Sequence, residues 1–187
     1  MSKIKLQGID VGTFTYESEK VLPDGTSTIS SFIDIPVTTQ TQVEITLNSN
    51  TQVPQLALDV TGDGMMDFTI VPQKDFDPVL FLQIMKKTVG SFNISKQQKN
   101  NLLKRIDDTI KAIQNGKIDK AKLKIEQFKK SLVIHSKENK EDRQEREKKN
   151  ERDHEREHRK KEKPKQLSPT EVQILLVMLN QLLDNIN

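Results

Sequence analysis

Apolar and polar residues alternate in short runs through the first 72 residues, as half-buried β-strands require. In one run, Val43, Ile45 and Leu47 share one face while the residues between them are polar. Runs of the same kind, separated by turn sequences, predict four further strands, near 4–16, 28–35, 55–60 and 67–71. We therefore predict a small antiparallel β-sandwich-like domain over residues 1–76.

From about residue 77 the apolar residues recur every three or four positions, which is the period of an amphipathic helix. Ser95 is the expected N-cap of the first such helix, and Gly116 follows its end. Its stripe consists of Leu102, Leu103, Ile106, Ile110 and Ile113. A second stripe consists of Ala121, Ile125, Phe128 and Leu132. The short link predicts an antiparallel hairpin, and the preceding segment D-P-V-L-F-L-Q-I-M-K-K can add a shorter helix.

The last helix has the clearest start signal. In S-P-T-E at 168–171, Ser168 is the expected N-cap, Pro169 takes the first helical position and Glu171 closes a capping box. A wide apolar face follows, which a two-helix hairpin needs to complete a core in water. We predict an α+β chain in which residues 77–187 form a three-helix bundle.

A charged insert, residues 137–166, interrupts this bundle. Between 137 and 165 there are 13 Lys or Arg, 10 Asp or Glu and no apolar residue. Such a segment is either a solvated helix or disordered, and in both states it lies outside the core. The net charge of the whole chain is only +3, and the insert has no aromatic residues, so we expect no nucleic-acid binding.

The insert contains H-E-R-E-H at 154–158, which matches the H-E-x-x-H signature of zinc hydrolases. A catalytic zinc site needs a dry cavity and a third protein ligand, and the flanking residues are all polar or charged. The match is explained by a segment rich in Glu, Arg, Lys and His. We therefore predict no catalytic residues and no enzymatic activity.

Other sequence features limit the possible environment. The chain contains no cysteine, which excludes disulfides and thiolate metal sites. The first residues contain no signal-peptide core, and no apolar stretch reaches the roughly 18 residues of a membrane span. We expect a soluble chain without membrane insertion; for an exported parent protein, the signal would lie outside this sequence.

The strongest chemical motif is L-D-V-T-G-D-G-M-M-D-F-T-I at 58–70. Three carboxylates and a hydroxyl alternate along it, a glycine occupies the sixth position, and a backbone carbonyl at the seventh can add a ligand. This spacing is typical of Asp-rich calcium loops. We predict a Ca2+ site made by Asp59, Thr61, Asp63, Met65 (through its carbonyl) and Asp67.

The motif departs from an EF-hand in two respects. Ile70 occupies the twelfth position instead of a bidentate Glu, and the flanking elements are strands. Further ligands would come from Asp75, Asp77, Asp34 or water, and the expected dissociation constant is about 0.1 to 1 mM. The alternative is a plain T-G-D-G turn in which the aspartates only favour the turn.

Two longer patterns resemble known modules. The segment F-I-D-I-P-V-T-T-Q-T, leading to L-A-L-D-V-T-G-D-G-M-M-D-F-T-I-V-P, resembles small calcium-loop domains near the C-terminus of exported bacterial surface proteins and hydrolases. The segment N-N-L-L-K-R-I-D-D-T-I-K-A-I-Q-N-G-K-I-D-K-A-K-L-K-I-E-Q-F, with the later L-S-P-T-E-V-Q-I-L-L, is similar to helical modules of the FIVAR or FIMAH type. The 30-residue charged insert departs from the short link of those modules.

The resemblance implies a non-catalytic accessory region of a larger exported bacterial protein, located outside the cell or at its surface. Its partner would be a protein or a cell-surface component, and leftover apolar surface on the final helix allows weak self-association. A second hypothesis is an intracellular adaptor whose charged arm contacts nucleic acid or an acidic partner. Calcium-dependent melting would favour the first hypothesis, and salt-sensitive binding of DNA or RNA would favour the second.

Overall fold

The computed structural model describes residues 2–47, 53–150 and 166–186, with the side chains of 135–150 left out of the description. The described residues form two antiparallel sheets and four helices, which confirms the α+β class. The strands are β1 (Ser2–Gln7), β2 (Gly12–Val21), β3 (Ser27–Val37), β4 (Gln42–Leu47), β5 (Gln55–Asp59) and β6 (Phe68–Ile70). The helices are α1 (Pro78–Ser91), α2 (Lys96–Gln114), α3 (Ile118–Asn150) and α4 (Pro169–Asn185).

One sheet has four strands in the order β1-β4-β5-β6, and the other pairs β2 with β3. Ile45 of β4 lies between Ile4 and Leu56, and Leu56 in turn lies opposite Ile70. This row of apolar side chains crosses the whole larger sheet on one face, as the alternation in the sequence predicts.

The predicted run 4–16 divides into β1 and β2, which belong to different sheets. The chain changes direction after Gly8, whose N–H donates to the Thr41 carbonyl at 2.9 Å. A Cβ at Gly8 would lie 2.1 Å from the Thr38 carbonyl oxygen, so no larger residue fits. Glycine therefore permits the close backbone approach at which the first strand ends.

The two sheets contribute to one hydrophobic cluster. Phe32 and Ile35 of β3 and partly buried residues of β2 pack in the same cluster as residues of β4, β5 and β6. Ile84 of α1 is also part of it, with an exposure of 1%. The β-strands and the first helix therefore share a core.

A second cluster is formed by all four helices. Its fully buried members include Met85 of α1, Ile106 of α2, Ile125 of α3 and Leu175 of α4. The expected short first helix is 14 residues long, and Asp77 caps it by accepting hydrogen bonds from Val79 N and Leu80 N. The helical core therefore contains four helices, since α1 packs with the three that the apolar periodicity predicted.

The helix termini follow the predicted signals. Ser95 caps α2, and Gly116 has a φ of 67° directly after that helix. Ser168 and Glu171 form the capping box of α4. The backbone of α3 stays helical through Asn150, so the first part of the charged insert is helical, whereas residues 151–165 lie outside the described residues.

Candidate functional site

The acidic loop, residues 59–67, connects β5 to β6 at one end of the larger sheet. The two strands are antiparallel, and Leu58 lies opposite Phe68 directly before and after the loop. The Asp67 N–H also donates to the Leu58 carbonyl at 2.8 Å. Strand pairing therefore brings the two ends of the loop, Asp59 and Asp67, close to one another.

Asp59 is completely buried and its carboxylate organises the loop. Its Oδ1 accepts hydrogen bonds from Thr61 N at 3.1 Å, Gly62 N at 2.7 Å and Thr61 Oγ1 at 3.4 Å. Its Oδ2 accepts from Gly64 N at 2.7 Å. The sequence predicted this residue as a ligand, and the structure gives it a second role as the acceptor for the N–H groups of its own loop.

These hydrogen bonds also affect the ionisation of Asp59. Burial by itself raises the pKa of this carboxyl group, since the charged form loses its hydration. The backbone N–H groups of Gly64, Gly62 and Thr61 outweigh burial, so the pKa lies below its ordinary value. Asp59 is therefore held as a carboxylate in a buried position.

Asp67 is the second carboxylate with fixed partners. Its Oδ2 accepts from Val60 N at 2.9 Å, and its Oδ1 lies 2.6 Å from Lys87 Nζ on α1. The Asp67 side chain is only 7% exposed. The hydrogen bond that Lys87 donates to Asp67 raises the pKa of Lys87, and the charges of Asp67, Asp63 and Asp59 act in the same direction.

Sequence reasoning did not identify Lys87 as part of this site. Nothing in the local pattern distinguishes it from the neighbouring Lys86, which instead pairs with Asp107 at 2.6 Å. The helical period separates adjacent positions by about 100°, so consecutive lysines face different neighbours. Only the packing of α1 against the β-strands shows which lysine reaches the loop.

The remaining predicted ligands are more open to solvent. Asp63 and Met65 are exposed, and Thr61 is half-buried. Asp63 Oδ1 accepts a hydrogen bond from Met65 N at 2.9 Å, which closes a small turn at the tip of the loop. The tip therefore presents one carboxylate with unused acceptor capacity to solvent.

Two glycines give the loop its shape. Gly64, which the sequence identified, has a φ of 84°, and Gly62 has a φ of 73°. A Cβ at Gly62 would also lie 2.8 Å from the Gln40 carbonyl oxygen, whereas a Cβ at Gly64 would meet open space. Gly62 therefore has both a conformational and a steric reason to be glycine.

The oxygen chemistry of the loop fits a hard cation in part. Asp59, Asp63 and Asp67 carry three negative charges and Lys87 one positive charge, which leaves an excess that a divalent cation could neutralise. Asp63 and one oxygen of Asp59 retain free lone pairs. However, the described residues contain no group of three or more His, Cys, Asp or Glu side chains gathered around one point.

The three additional residues considered as ligands have other surroundings. Asp77 is the N-cap of α1, and Asp75 is exposed. Asp34 has a φ of 50° and its N–H donates to Thr15 Oγ1 at 3.2 Å, beside the irregularity in the β2–β3 pairing. The H-E-R-E-H sequence at 154–158 lies outside the described residues.

No described helix combines sufficient length with sufficient hydropathy to cross a membrane. Comparisons of the chain with family models, curated proteins and solved structures found no match.

Proposed function

We propose that this chain is a non-catalytic accessory region of a larger exported bacterial protein, where it acts as a structural or protein-binding module at the cell surface. The resemblance of its two motifs to surface-protein modules supports export and attachment. The acidic loop supports the non-catalytic role, since its buried carboxylates bind the N–H groups of their own backbone and one lysine.

In this proposal the β-strands form a sandwich-like unit and the helices form a bundle. The shared cluster of residues from both sheets supports the first part, and the cluster formed by all four helices supports the second. Helix α1 contributes Ile84 to one cluster and Met85 to the other. A rigid connection of this kind suits a spacer that has to keep a fixed geometry.

Calcium stabilises the module in this proposal, and the acidic loop is its site. Asp59, Asp63 and Asp67 would hold the ion together with the Thr61 hydroxyl and the Met65 carbonyl. The observation that carries the proposal is the buried Asp59 carboxylate, held ionised by three N–H groups at the first position of an Asp-rich loop. Binding must compete with Lys87, which already contacts Asp67.

Isothermal titration calorimetry with calcium chloride tests this proposal. We expect one site per chain with a dissociation constant of about 0.1 to 1 mM. Asp63→Ala should abolish the heat, because it removes a proposed ligand. Asp63 is exposed, so the fold should remain intact. Asp24→Ala, an exposed aspartate of the β2–β3 turn, is the matched control and should bind as the wild type does. If the wild type gives no saturable heat, the loop is a structural turn that does not bind calcium.

A further inference from the structure

A polar cleft is lined by residues of α2 and α3. Its volume is about 450 Å3. Six side chains line it: Asn101, Lys104, Arg105, Asp108, Lys124 and Gln127. We refer to it as the hairpin cleft.

The hairpin cleft has an excess of positive charge. Lys124 Nζ lies 3.6 Å from Asp108 Oδ2, so these two residues largely neutralise one another. Within the described part of the chain, Lys104 and Arg105 form no ion pair. Two cations of the lining are therefore available to a ligand.

Arg105 is held in place by an aromatic ring. Its Cζ atom lies 5.8 Å from the centroid of the Phe128 ring, and Phe128 is only 1% exposed. Such a contact restricts the guanidinium and leaves its N–H groups free to donate. The planar group with paired donors matches a carboxylate or phosphate in a bidentate arrangement.

The surrounding hairpin strengthens this electrostatic preference. Residues 96–134 contain eleven Lys or Arg and only four Asp or Glu, although the whole chain has a net charge of +3. The positive charge is therefore concentrated on the segment that forms the cleft, and the rest of the chain is net negative. Such an asymmetry attracts anions to this segment and accelerates their association.

The lining also indicates what else the ligand carries. Asn101 and Gln127 each offer an amide donor and acceptor, and Asp108 offers an acceptor, which suits hydroxyl groups. Among the described residues no aromatic side chain lines the cleft, so nucleobases have no aromatic stacking partner there. We propose that the hairpin cleft binds a small hydroxyl-bearing anion of the sugar acid or sugar phosphate class, with the anionic group on Arg105 and Lys104.

The test is a two-dimensional 15N NMR titration of the full chain. The probes are glucuronate, glucose 6-phosphate and glucose, with a short oligothymidylate as a fourth arm. At least one of the two charged sugars should produce saturable shifts at residues 101–108 and 124–127, and glucose should bind at least tenfold more weakly. Whichever of glucuronate and glucose 6-phosphate binds more tightly shows whether the site prefers a carboxylate or a phosphate.

Variants of the cleft provide the decisive comparison. Arg105→Gln should weaken binding about tenfold, the usual effect of losing a charge-assisted hydrogen bond. Lys104→Gln should also weaken it, and this exposed side chain has no packing role that could unfold the helix. Lys96→Gln removes the same charge from the same helix outside the cleft and should change binding less than twofold.

Four results would overturn the proposal. The first is that glucose binds as tightly as the charged sugars. The second is that Lys96→Gln loses as much affinity as Lys104→Gln. The third is that neither charged sugar produces saturable shifts, which would mean that the cleft does not bind such anions. Tighter binding of oligothymidylate at the same cleft would assign the surface to nucleic acid instead.

Discussion

Lys87 Nζ on α1 lies 2.6 Å from Asp67 Oδ1, so an ion pair connects the helical part of the chain to the loop that leads into β6. The lysine supplies a positive charge to a loop that otherwise carries three carboxylates. A bound metal ion would therefore compete with this ammonium group for the same negative charge.

This competition predicts the effect of Lys87→Met. Removing the ammonium should tighten calcium binding about fivefold, since one unit of positive charge near the site is lost. In the absence of calcium the variant should melt at a lower temperature than the wild type, because Asp67 loses its ion-pair partner. Calorimetric titration and thermal melting measure the two effects.

Lys86→Met is the matched control for this experiment. Lys86 is the adjacent residue and has nearly the same exposure, but it pairs with Asp107. Its replacement should leave calcium affinity unchanged. Equal affinities in both variants would show that Lys87 and calcium do not share a site.

The lowered pKa of Asp59 predicts how the stability of the fold depends on pH. The pKa of Asp59 is lower in the folded chain than its ordinary value of 3.8. The stability that it contributes is therefore complete above that ordinary value and is lost as the pH falls through the folded pKa. Asp59→Asn should cost about 2 kcal/mol at pH 7 and flatten the fall in stability below about pH 4. Urea unfolding at several pH values measures this, with exposed Asp75→Asn as the control; parallel curves for Asp59→Asn and the wild type would contradict the assignment.

The two glycines of the acidic loop should differ in their tolerance of alanine. Both have positive φ, which costs a non-glycine residue about 1 to 2 kcal/mol. Gly62→Ala also places a Cβ 2.8 Å from the Gln40 carbonyl oxygen, so its total cost should reach about 3 kcal/mol. Gly64→Ala, with open space around it, is the matched variant. Equal free energies of unfolding for the two would show that the Gln40 contact is unimportant.

The position of Ile84 on α1 predicts that the two hydrophobic clusters unfold together. It projects from α1 into the β-cluster, while its neighbour Met85 belongs to the helical cluster. Ile84→Ala should destabilise the chain by about 3 kcal/mol and keep a single transition in far-UV circular dichroism. The exposed Ile29→Ala should cost less than about 0.5 kcal/mol. Separate melting of strands and helices in the variant would indicate independent units.

Local patterns in the sequence were sufficient for most of the secondary structure. Alternation at Val43 and Ile45 and the caps at Ser95 and Ser168 depend only on residues close in the chain, and each lies where the sequence predicts it. The division of the run 4–16 depends instead on the contact of Gly8 with Thr38, 30 residues later. Long-range contacts of this kind leave no periodic signal.

The same distinction applies to the candidate sites. The spacing of Asp59, Asp63 and Asp67 is visible in the sequence, and so is the glycine that bends the loop. The partner of Asp67 comes from a helix 20 residues away, and the hairpin cleft depends on the register between two helices. The net charge of the whole chain gave no sign of the positive segment 96–134, because the remainder of the chain is net negative.

Thermal melting of the full chain with and without calcium tests the central claim most directly. With about 1 mM calcium and a dissociation constant of about 0.1 mM, binding should stabilise the fold by about 1.4 kcal/mol. For a chain of this size that corresponds to a rise in melting temperature of roughly 3 to 5 °C, absent in Asp63→Ala and not reproduced by magnesium. An unchanged melting temperature in 10 mM calcium would contradict calcium binding and leave the acidic loop as a turn held by its own hydrogen bonds and by Lys87.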